Sequence, residues 1–269
     1  VVLLESFAKK HGLGLGDTRN PLLVSVRSGA ALSMPGMMDS LLNIGLCDAT
    51  VHGLMRLSGN PRLVWDSYCR LVRGFAEVVF GASPQPFTAA LDALLLRERL
   101  ERLQDLDYSC LAELTRTYLE IFVDLTGQAF PQNPLEQLEL AVEAVFNSCR
   151  SPRAVEFRRL HGIADDLFTA ATIQQMVFGN VGGASGSGVG FSRDPDSGEK
   201  RLYFDFLFNC QGEDVVSGRA RRADPERLFA VLPEMRQKLA DICAVLEKEF
   251  RDAQEFEFTV QDGVLYLLQ

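Results

Sequence analysis

The stretch "EFEFTVQDGVLYLLQ", residues 255–269, has the alternation and the central turn residues of a β-hairpin. Its first half places phenylalanine or valine at every second position, which is the two-residue period of a strand. Glu255 and Glu257 therefore share one face of that strand. Asp262-Gly263 is a turn signal, so the sequence predicts a hairpin in which the loop length decides what faces the two carboxylates.

Two loop lengths fit this hairpin, and they differ in where they place Gln269. A two-residue Asp-Gly loop would leave Gln269 on the phenylalanine face. A three-residue Gln-Asp-Gly loop, with the glycine left-handed, makes one face wholly apolar and places Gln269 opposite Glu255 and diagonal to Glu257. We predict this second register, whose cross-strand pairs are Val260 with Val264, Phe258 with Tyr266 and Phe256 with Leu268.

The predicted acidic face has the chemistry of a magnesium site. Glu255, Glu257 and Gln269 would bring oxygen ligands to one end of the hairpin, and Mg²⁺ prefers such ligands, with substrate phosphates completing the shell. A hairpin with one solvated polar face is the alternative, and spacing alone favours it. Leu265 and Leu267 fall on the acidic face and favour a cleft over open water.

Composition excludes several classes of protein. The chain has 269 residues, of which 47% are hydrophobic and 23% charged, and its net charge is −9. These values are typical of a globular chain, and the negative charge argues against a nucleic-acid-binding surface. No apolar run approaches the roughly 20 residues of a membrane span. The first residue is valine, so we expect a piece of a longer polypeptide.

The cysteines and histidines show no pattern of a metal or nucleophilic site. The six cysteines lack a Cys-x-x-Cys spacing, which is typical of reduced residues in a cytoplasmic protein. The three histidines, His11, His52 and His161, share no metal-like spacing. The sequence therefore predicts neither a disulfide framework, nor a zinc site, nor a Ser-His-Asp nucleophile.

The predicted order of elements is strands, a helical insert, strands, a helix and the hairpin. A short strand over 22–26 ends at Arg27, and residues 41–127 show helical spacing with no strand between. Another helix is expected to begin at the N-cap Asn133. The later elements are strands within 169–180, 188–194 and 200–208, a helix over 232–246 and the hairpin. This order predicts an α+β architecture with mainly antiparallel sheets.

Two further motifs have the chemistry to bind phosphate. "GGASGSGVGF", residues 182–191, has glycines that let backbone N–H groups approach a phosphate. It lacks the Gly-Lys-Ser of a Walker loop, and a plain linker between strands is the alternative that pattern alone favours. Arg27 has the planar donor fork that suits phosphate, although a lone arginine at a strand end is more often an ion-pairing surface residue. With the acidic hairpin, these are the parts of a Mg²⁺–nucleotide site.

Six segments resemble the N-terminal nucleotide-binding region of pyruvate phosphate dikinases, which has an ATP-grasp fold. They are "NPLLVSVRSGAALSMPGMMDSLLNIGL", "FPQNPLEQLELAVEAVF", "QMVFGN", "SGSGVGFSRDPDSGE", "NCQGEDVVSG" and "EFTVQDGVLYLLQ". The form "SMPGMMD" separates this family from the related phosphoenolpyruvate synthases. The resemblance covers nearly the whole chain, and it implies an ATP-grasp-like fold with a helical insert.

The resemblance implies roles for individual residues. Arg27 matches the family's essential phosphate-binding arginine. Glu257 and Gln269 match its glutamate and glutamine at Mg²⁺–ATP, and Glu255 stands where the family usually has aspartate. The remaining implied contacts are the adenine-binding strand residues Gln174, Met176 and Val177 and the phosphate-loop residues Ser187 and Gly188.

The resemblance also implies how the chain is divided and what it binds. Residues 1–45 and 133–269 would form the nucleotide-binding region, and residues 46–132 a helical insert. The family converts ATP, phosphate and pyruvate to AMP, pyrophosphate and phosphoenolpyruvate through a phosphohistidine. The implied partners are therefore ATP and a phosphohistidine domain outside this chain, with a homodimer expected through the full-length enzyme.

Departures from the family pattern support a second hypothesis. The family's Gly-Lys-Gly segment, with its ATP-binding lysine, would lie upstream of Val1, and "DDLFTAA" and "GRARRADPERL" diverge from the family. The alternative is a catalytically inactive, stand-alone nucleotide-binding or regulatory module. A purely structural interaction domain is disfavoured because Arg27, Glu257 and Gln269 are all retained.

Overall fold

The computed structural model describes residues 2–30, 39–164, 168–216 and 225–269. Its helices and antiparallel sheets form an α+β fold, as predicted. The chain divides into two compact units, Val1–Met176 and Val177–Gln269. Most of the "SMPGMMD" and "GRARRADPERL" segments lies outside the described residues, and the three-part division at residues 45 and 132 stays a prediction. None of the described helices combines the length and the apolar character needed to cross a bilayer.

The first unit combines a sheet with a set of helices. Its strands are β1 (Val24–Ala30), β2 (Leu41–Ile44) and β3 (Thr169–Gln175), in the order β2-β1-β3 with antiparallel neighbours. Its helices are α1 (Val2–His11), α2 (Asp48–Ser58), α3 (Pro61–Phe80), α4 (Gln85–Glu98), α5 (Tyr108–Thr126), α6 (Pro134–Ser148) and α7 (Pro152–His161). A 3₁₀ turn covers Leu103–Asp105.

Two predictions for this unit are corrected by the sheet. The strand that was expected to end at Val26 continues through Arg27 to Ala30, because β1 pairs with β3 over its whole length. The segment predicted to be wholly helical from residue 41 begins with strand β2, which pairs with β1. Both errors arise because the extent of each strand depends on a partner strand that lies outside its own segment of sequence.

Helix α6 begins where the sequence predicts and anchors the loop after β2. The side chain of Asn133 accepts a hydrogen bond from the N–H of Leu135 at 3.0 Å, and Pro134 occupies the first turn. One turn on, the buried Gln137 accepts from the N–H of Gly45 at 2.9 Å. Its amide donates to the carbonyls of Leu46 at 3.1 Å and Pro131 at 2.8 Å. These bonds satisfy backbone groups that would otherwise be buried without partners.

The second unit combines a four-stranded sheet with three helices among its described residues. Its strands are β4 (Gly186–Phe191), β5 (Tyr203–Phe208), β6 (Glu255–Gln261) and β7 (Val264–Leu267), in the antiparallel order β5-β4-β6-β7. Its helices are α8 (Gly212–Val216), α9 (Pro225–Val231) and α10 (Met235–Phe250). The predicted strands and the predicted long helix are confirmed, with bounds shifted by a few residues.

The glycines of strand β4 make room for phenylalanine rings on the neighbouring strands. Phe206 and Phe258 flank Gly188 on the neighbouring strands, and both rings are buried in the core of this unit. A Cβ atom built on Gly188 would lie 2.6 Å from a ring carbon of Phe258 and 2.6 Å from the carbonyl oxygen of Asp205. The glycine therefore leaves the room that the aromatic rings occupy.

Candidate functional site

The hairpin at the end of the second unit turns through two residues. Asp262 has φ +50° and Gly263 has φ +78°, so both central residues are left-handed, as a type I′ turn requires. The N–H of Asp262 donates to the hydroxyl of Ser185 at 2.9 Å, and the N–H of Gly263 donates to the carbonyl of Ala184 at 3.1 Å. The three-residue loop was therefore a wrong prediction, because aspartate tolerates the left-handed region and tertiary contacts hold it there.

The shorter loop changes the register of the hairpin. The pairs are Gln261 with Val264, Val260 with Leu265, Thr259 with Tyr266 and Phe258 with Leu267. The predicted pairs of Val260 with Val264, Phe258 with Tyr266 and Phe256 with Leu268 are wrong. Leu265 is partly buried against the phenylalanine core instead of facing the acidic side. Because side chains alternate between the two faces of a strand, the loop that is shorter by one residue turns each side chain of the return strand to the face opposite the predicted one.

An irregularity beyond the described pairs brings Gln269 opposite Glu257. The N–H of Leu268 donates to the carbonyl of Glu257 at 2.8 Å, and the N–H of Glu257 donates to the carbonyl of Gln269 at 2.7 Å. Two residues of the return strand thus face one residue of β6, which is the definition of a β-bulge. Gln269 was predicted opposite Glu255, and the bulge places it opposite Glu257 instead.

The face that carries Glu257 also carries an acid that the sequence analysis did not single out. Val189 of β4 pairs with Glu257 on one side and with Asp205 of β5 on the other. Cross-strand partners point to the same face of a sheet, so Asp205 shares the face of Glu257. Both residues are half-buried. The alternation in "YFDFLF" was the available signal, because it separates Asp205 from the phenylalanines.

Ser187 and Gly188 do not form the predicted phosphate loop. Both lie inside β4, and Ser187 is only 1% exposed. The hydroxyl of Ser187 donates to the carbonyl of Cys210 at 3.1 Å and lies 3.0 Å from the hydroxyl of Thr259. The loop prediction is wrong because alternate glycines here serve strand packing, and the pattern of a glycine-rich loop is the same. Their part in nucleotide binding stays a prediction.

The other predicted residues lie along β1 and β3 or follow them. Arg27 is half-buried in the middle of β1, in register with Thr172 of β3. Gln174 pairs with Ser25, whose hydroxyl donates to the carbonyl of Gln174 at 3.3 Å. Met176 continues the ladder, since its N–H donates to the carbonyl of Leu23 at 2.9 Å. The boundary between the two units follows Met176, so Val177 is the first residue of the second unit.

The chemistry of the hairpin residues fits a hard cation bound together with phosphate. Glu255, Glu257 and Gln269 offer only oxygen ligands from their carboxylates and side-chain carbonyl, which Mg²⁺ accepts. Within the part of the chain that the structure describes, no group of three His, Cys, Asp or Glu side chains is placed to hold a metal ion. In proteins Mg²⁺ is commonly bound by one or two carboxylates together with the phosphates of a substrate.

Comparison with known proteins defines the class to which this chain belongs. Residues 4–230 match a nucleotide-binding domain family, described as the AMP/ATP-binding domain of pyruvate phosphate dikinase. The match covers most of the chain, so the chain belongs to the pyruvate phosphate dikinase AMP/ATP-binding domain family. The resemblance seen in the sequence is thereby confirmed.

Individual relatives are long proteins of which this chain matches one part. A chloroplastic pyruvate, phosphate dikinase of Mesembryanthemum crystallinum is 44% identical over 266 residues, covering 99% of this chain and 28% of the relative. The pyruvate, phosphate dikinase of Clostridium symbiosum is 44% identical over 260 residues, covering 96% of this chain and 30% of the relative. Pyruvate, phosphate dikinase 2 of Zea mays is 45% identical over 258 residues. The chain spans just under a third of the length of these relatives.

Proposed function

We propose that this chain binds Mg²⁺–ATP as the nucleotide-binding part of a pyruvate phosphate dikinase with an ATP-grasp fold. The observation that carries the proposal is the bulge that sets Gln269 against Glu257 at 2.7 Å between backbone N and O. It puts two oxygen-bearing side chains on adjoining strands, and Glu255 lies two residues before Glu257 in β6. Family membership supplies the independent support for the nucleotide.

Each residue has a distinct role in this proposal. Glu257 and Gln269, with Glu255, bind the Mg²⁺ ion that accompanies the nucleotide. Mg²⁺, when bound there, neutralises the charge on the phosphates. The guanidinium of Arg27 donates in a fork to phosphate oxygens and orients the group to be transferred.

The adenine and the sheet account for the remaining residues. Gln174, Met176 and Val177 line the adenine through the end of β3 and the residues that follow it. Ser187 and Gly188 contribute as part of β4, the strand that holds Val189 between Asp205 and Glu257. They thus fix the spacing of the acidic face instead of covering the phosphates.

The complete reaction needs groups that these 269 residues do not contain. We propose the conversion of ATP, phosphate and pyruvate to AMP, pyrophosphate and phosphoenolpyruvate, with a phosphohistidine domain of a longer polypeptide as the acceptor. The 269 residues alone would then bind ATP without turning over. A cytoplasmic location and a homodimer of the full-length enzyme belong to the same proposal.

Calorimetric titration with Mg²⁺–ATP tests the binding site. We expect saturable binding that weakens at least about tenfold in Glu257→Gln and in Arg27→Ala, because charge-assisted contacts to phosphate are lost. Glu249→Gln is the matched control, since Glu249 is an exposed acid on α10. Unchanged affinity in Glu257→Gln, with the variant folded, would contradict the role of the hairpin.

A second experiment separates the enzyme from an inactive nucleotide-binding module. A polypeptide of the relatives' length that carries these residues is assayed for pyruvate-dependent conversion of ATP to AMP. Conversion that Glu257→Gln abolishes supports the proposed reaction. Tight ATP binding without conversion would contradict it and favour the inactive module.

A further inference from the structure

Strand β3 presents an open edge in the first unit. It is the outer strand of the order β2-β1-β3. The N–H of Met176, directly after β3, donates to the carbonyl of Leu23, directly before β1. In an antiparallel ladder every second residue is hydrogen-bonded to the partner strand, so the N–H and C=O groups of Ala171, Ile173 and Gln175 point away from β1. Within the described ranges, no hydrogen bond is found for these outward-facing groups. Unpaired strand edges of this kind are templates for another strand.

An apolar groove runs beside this edge. It has a volume of about 480 Å³ and is lined by Leu135, Leu138, Val142 and Phe146 of α6 and by Ile173 of β3. Phe146 is 48% exposed and Ile173 is 44% exposed. Recognition by strand addition needs both features, because main-chain hydrogen bonds give affinity and a pocket for alternate side chains gives specificity.

The charge of the groove indicates the chemistry of its partner. Glu139 and Glu143 also line it, one helical turn apart on α6, and both are exposed. Neither forms an ion pair within the described part of the chain. Like charges at this spacing repel each other, and a cation between them would relieve the repulsion.

The same charges argue against a second copy of this chain as the occupant. Two copies joined through β3 would each bring the pair Glu139 and Glu143 to the new interface. The chain as a whole carries a net charge of −9, which adds to the repulsion. A segment from outside residues 1–269 that carries lysine or arginine has neither cost.

We propose that the open edge of β3 and the groove on α6 bind one extended segment of polypeptide from outside residues 1–269. This segment adds as a strand beside β3, places apolar side chains at alternate positions into the groove and sets basic side chains against Glu139 and Glu143. The site shares strand β3 with Gln174, which is proposed to line the adenine, and it contains none of the residues proposed to bind the phosphates and Mg²⁺.

Hydrogen exchange with a synthetic peptide tests this inference. The probe is a nine-residue peptide that alternates valine with threonine and carries two lysines, and its control has glutamates in place of the lysines. We expect the lysine peptide to slow exchange at the amides of Ala171, Ile173 and Gln175, with an affinity about tenfold above that of the glutamate peptide.

A charge-reversed variant makes the test specific to the groove. Glu139 and Glu143 are exposed, so E139K/E143K is expected to fold, which circular dichroism checks. In this variant the preference should reverse, and the glutamate peptide should protect the same amides. Three results would each overturn the proposal. They are equal affinity of both peptides, no protection by either peptide, and self-association of the protein without peptide, seen by sedimentation, that protects β3.

Discussion

The sheets of the two units bury their central strands in different ways. In the first unit, Leu22 to Val26 are all buried, so the strand that leads to Arg27 is covered on both faces. In the second unit, β6 alternates, with Phe256 and Phe258 buried and Glu255 exposed. A strand buried on both faces reads as a continuous apolar run, whereas a half-buried strand alternates. The second sheet therefore places Glu255, Glu257 and Asp205 on the face opposite its buried phenylalanines. In the first sheet the buried run ends at the half-buried Arg27, in the middle of β1.

The largest expected effect tests the packing of phenylalanine over glycine. Gly188→Ala should lower the free energy of unfolding by about 3 kcal/mol, because the added methyl group meets a backbone carbonyl that cannot move aside. Urea unfolding followed by circular dichroism measures it.

Gly74→Ala is the matched control for this substitution. Gly74 lies within α3, and a Cβ there meets nothing within 4 Å, so alanine should stabilise by about 1 kcal/mol. A stable Gly188→Ala variant that no longer binds ATP would contradict the packing role of Gly188 and would support the sequence-based prediction that this residue contacts the phosphates.

The next effect tests the hydrogen bonds by which the side chain of Gln137 holds the loop after β2. Gln137→Leu should cost about 2 kcal/mol, because it leaves the buried backbone groups of Gly45 and Leu46 without partners. The single tryptophan, Trp65, lies in α3 and reports unfolding of this unit by fluorescence. Gln104→Leu, at an exposed position, should change stability by less than about 0.5 kcal/mol. Equal losses of unfolding free energy in both variants would show that the hydrogen bonds of Gln137 do not stabilise the first unit.

A smaller effect tests the turn that sets the hairpin register. Asp262→Val should cost about 1 kcal/mol, because a β-branched residue is strained at φ +50°. Asp262→Asn should cost little, since asparagine tolerates that region. Hydrogen exchange at the amides of Glu257 and Leu268 measures local opening of the hairpin. If valine leaves this exchange unchanged, the two-residue turn does not control the register.

The smallest effect is a pH dependence in the second unit. A side-chain hydrogen bond from Arg201, and then the N–H of Ser197, lower the pKa of Asp194 below 3.8. The stabilisation is present above that value and is lost as the pH falls through the folded-state pKa. Asp194→Asn should therefore flatten the decline of stability in acid, while Asp196→Asn in the same turn should not. Parallel acid unfolding curves for all three proteins would contradict this assignment.

The sequence predicted local features of the candidate site well. The cap at Asn133, the alternation that begins at Glu255 and the turn signal at Asp262-Gly263 each depend on a few neighbouring residues. Residue-by-residue resemblance named Arg27, Glu257 and Gln269, and family membership of the chain is confirmed. Their roles in binding remain proposals that the titrations above examine.

The failures of prediction share a physical cause. The contacts of Asp262 with Ser185 select the loop length, and Phe258 against Gly188 makes a strand of a glycine-rich segment. Each of these partners is far away in the sequence. Local patterns were compatible with both answers, and only distant contacts separated them.

By itself, the sequence determined the α+β class, the alternation that separates acids from phenylalanines, and the family of the chain. Only the tertiary structure decided the register of the hairpin, the bulge that sets Gln269 opposite Glu257, and the place of Asp205 on the same face. Periodicity is a property of neighbouring residues along one strand. Register and pairing are properties of two strands, and their energies depend on contacts that no single segment contains.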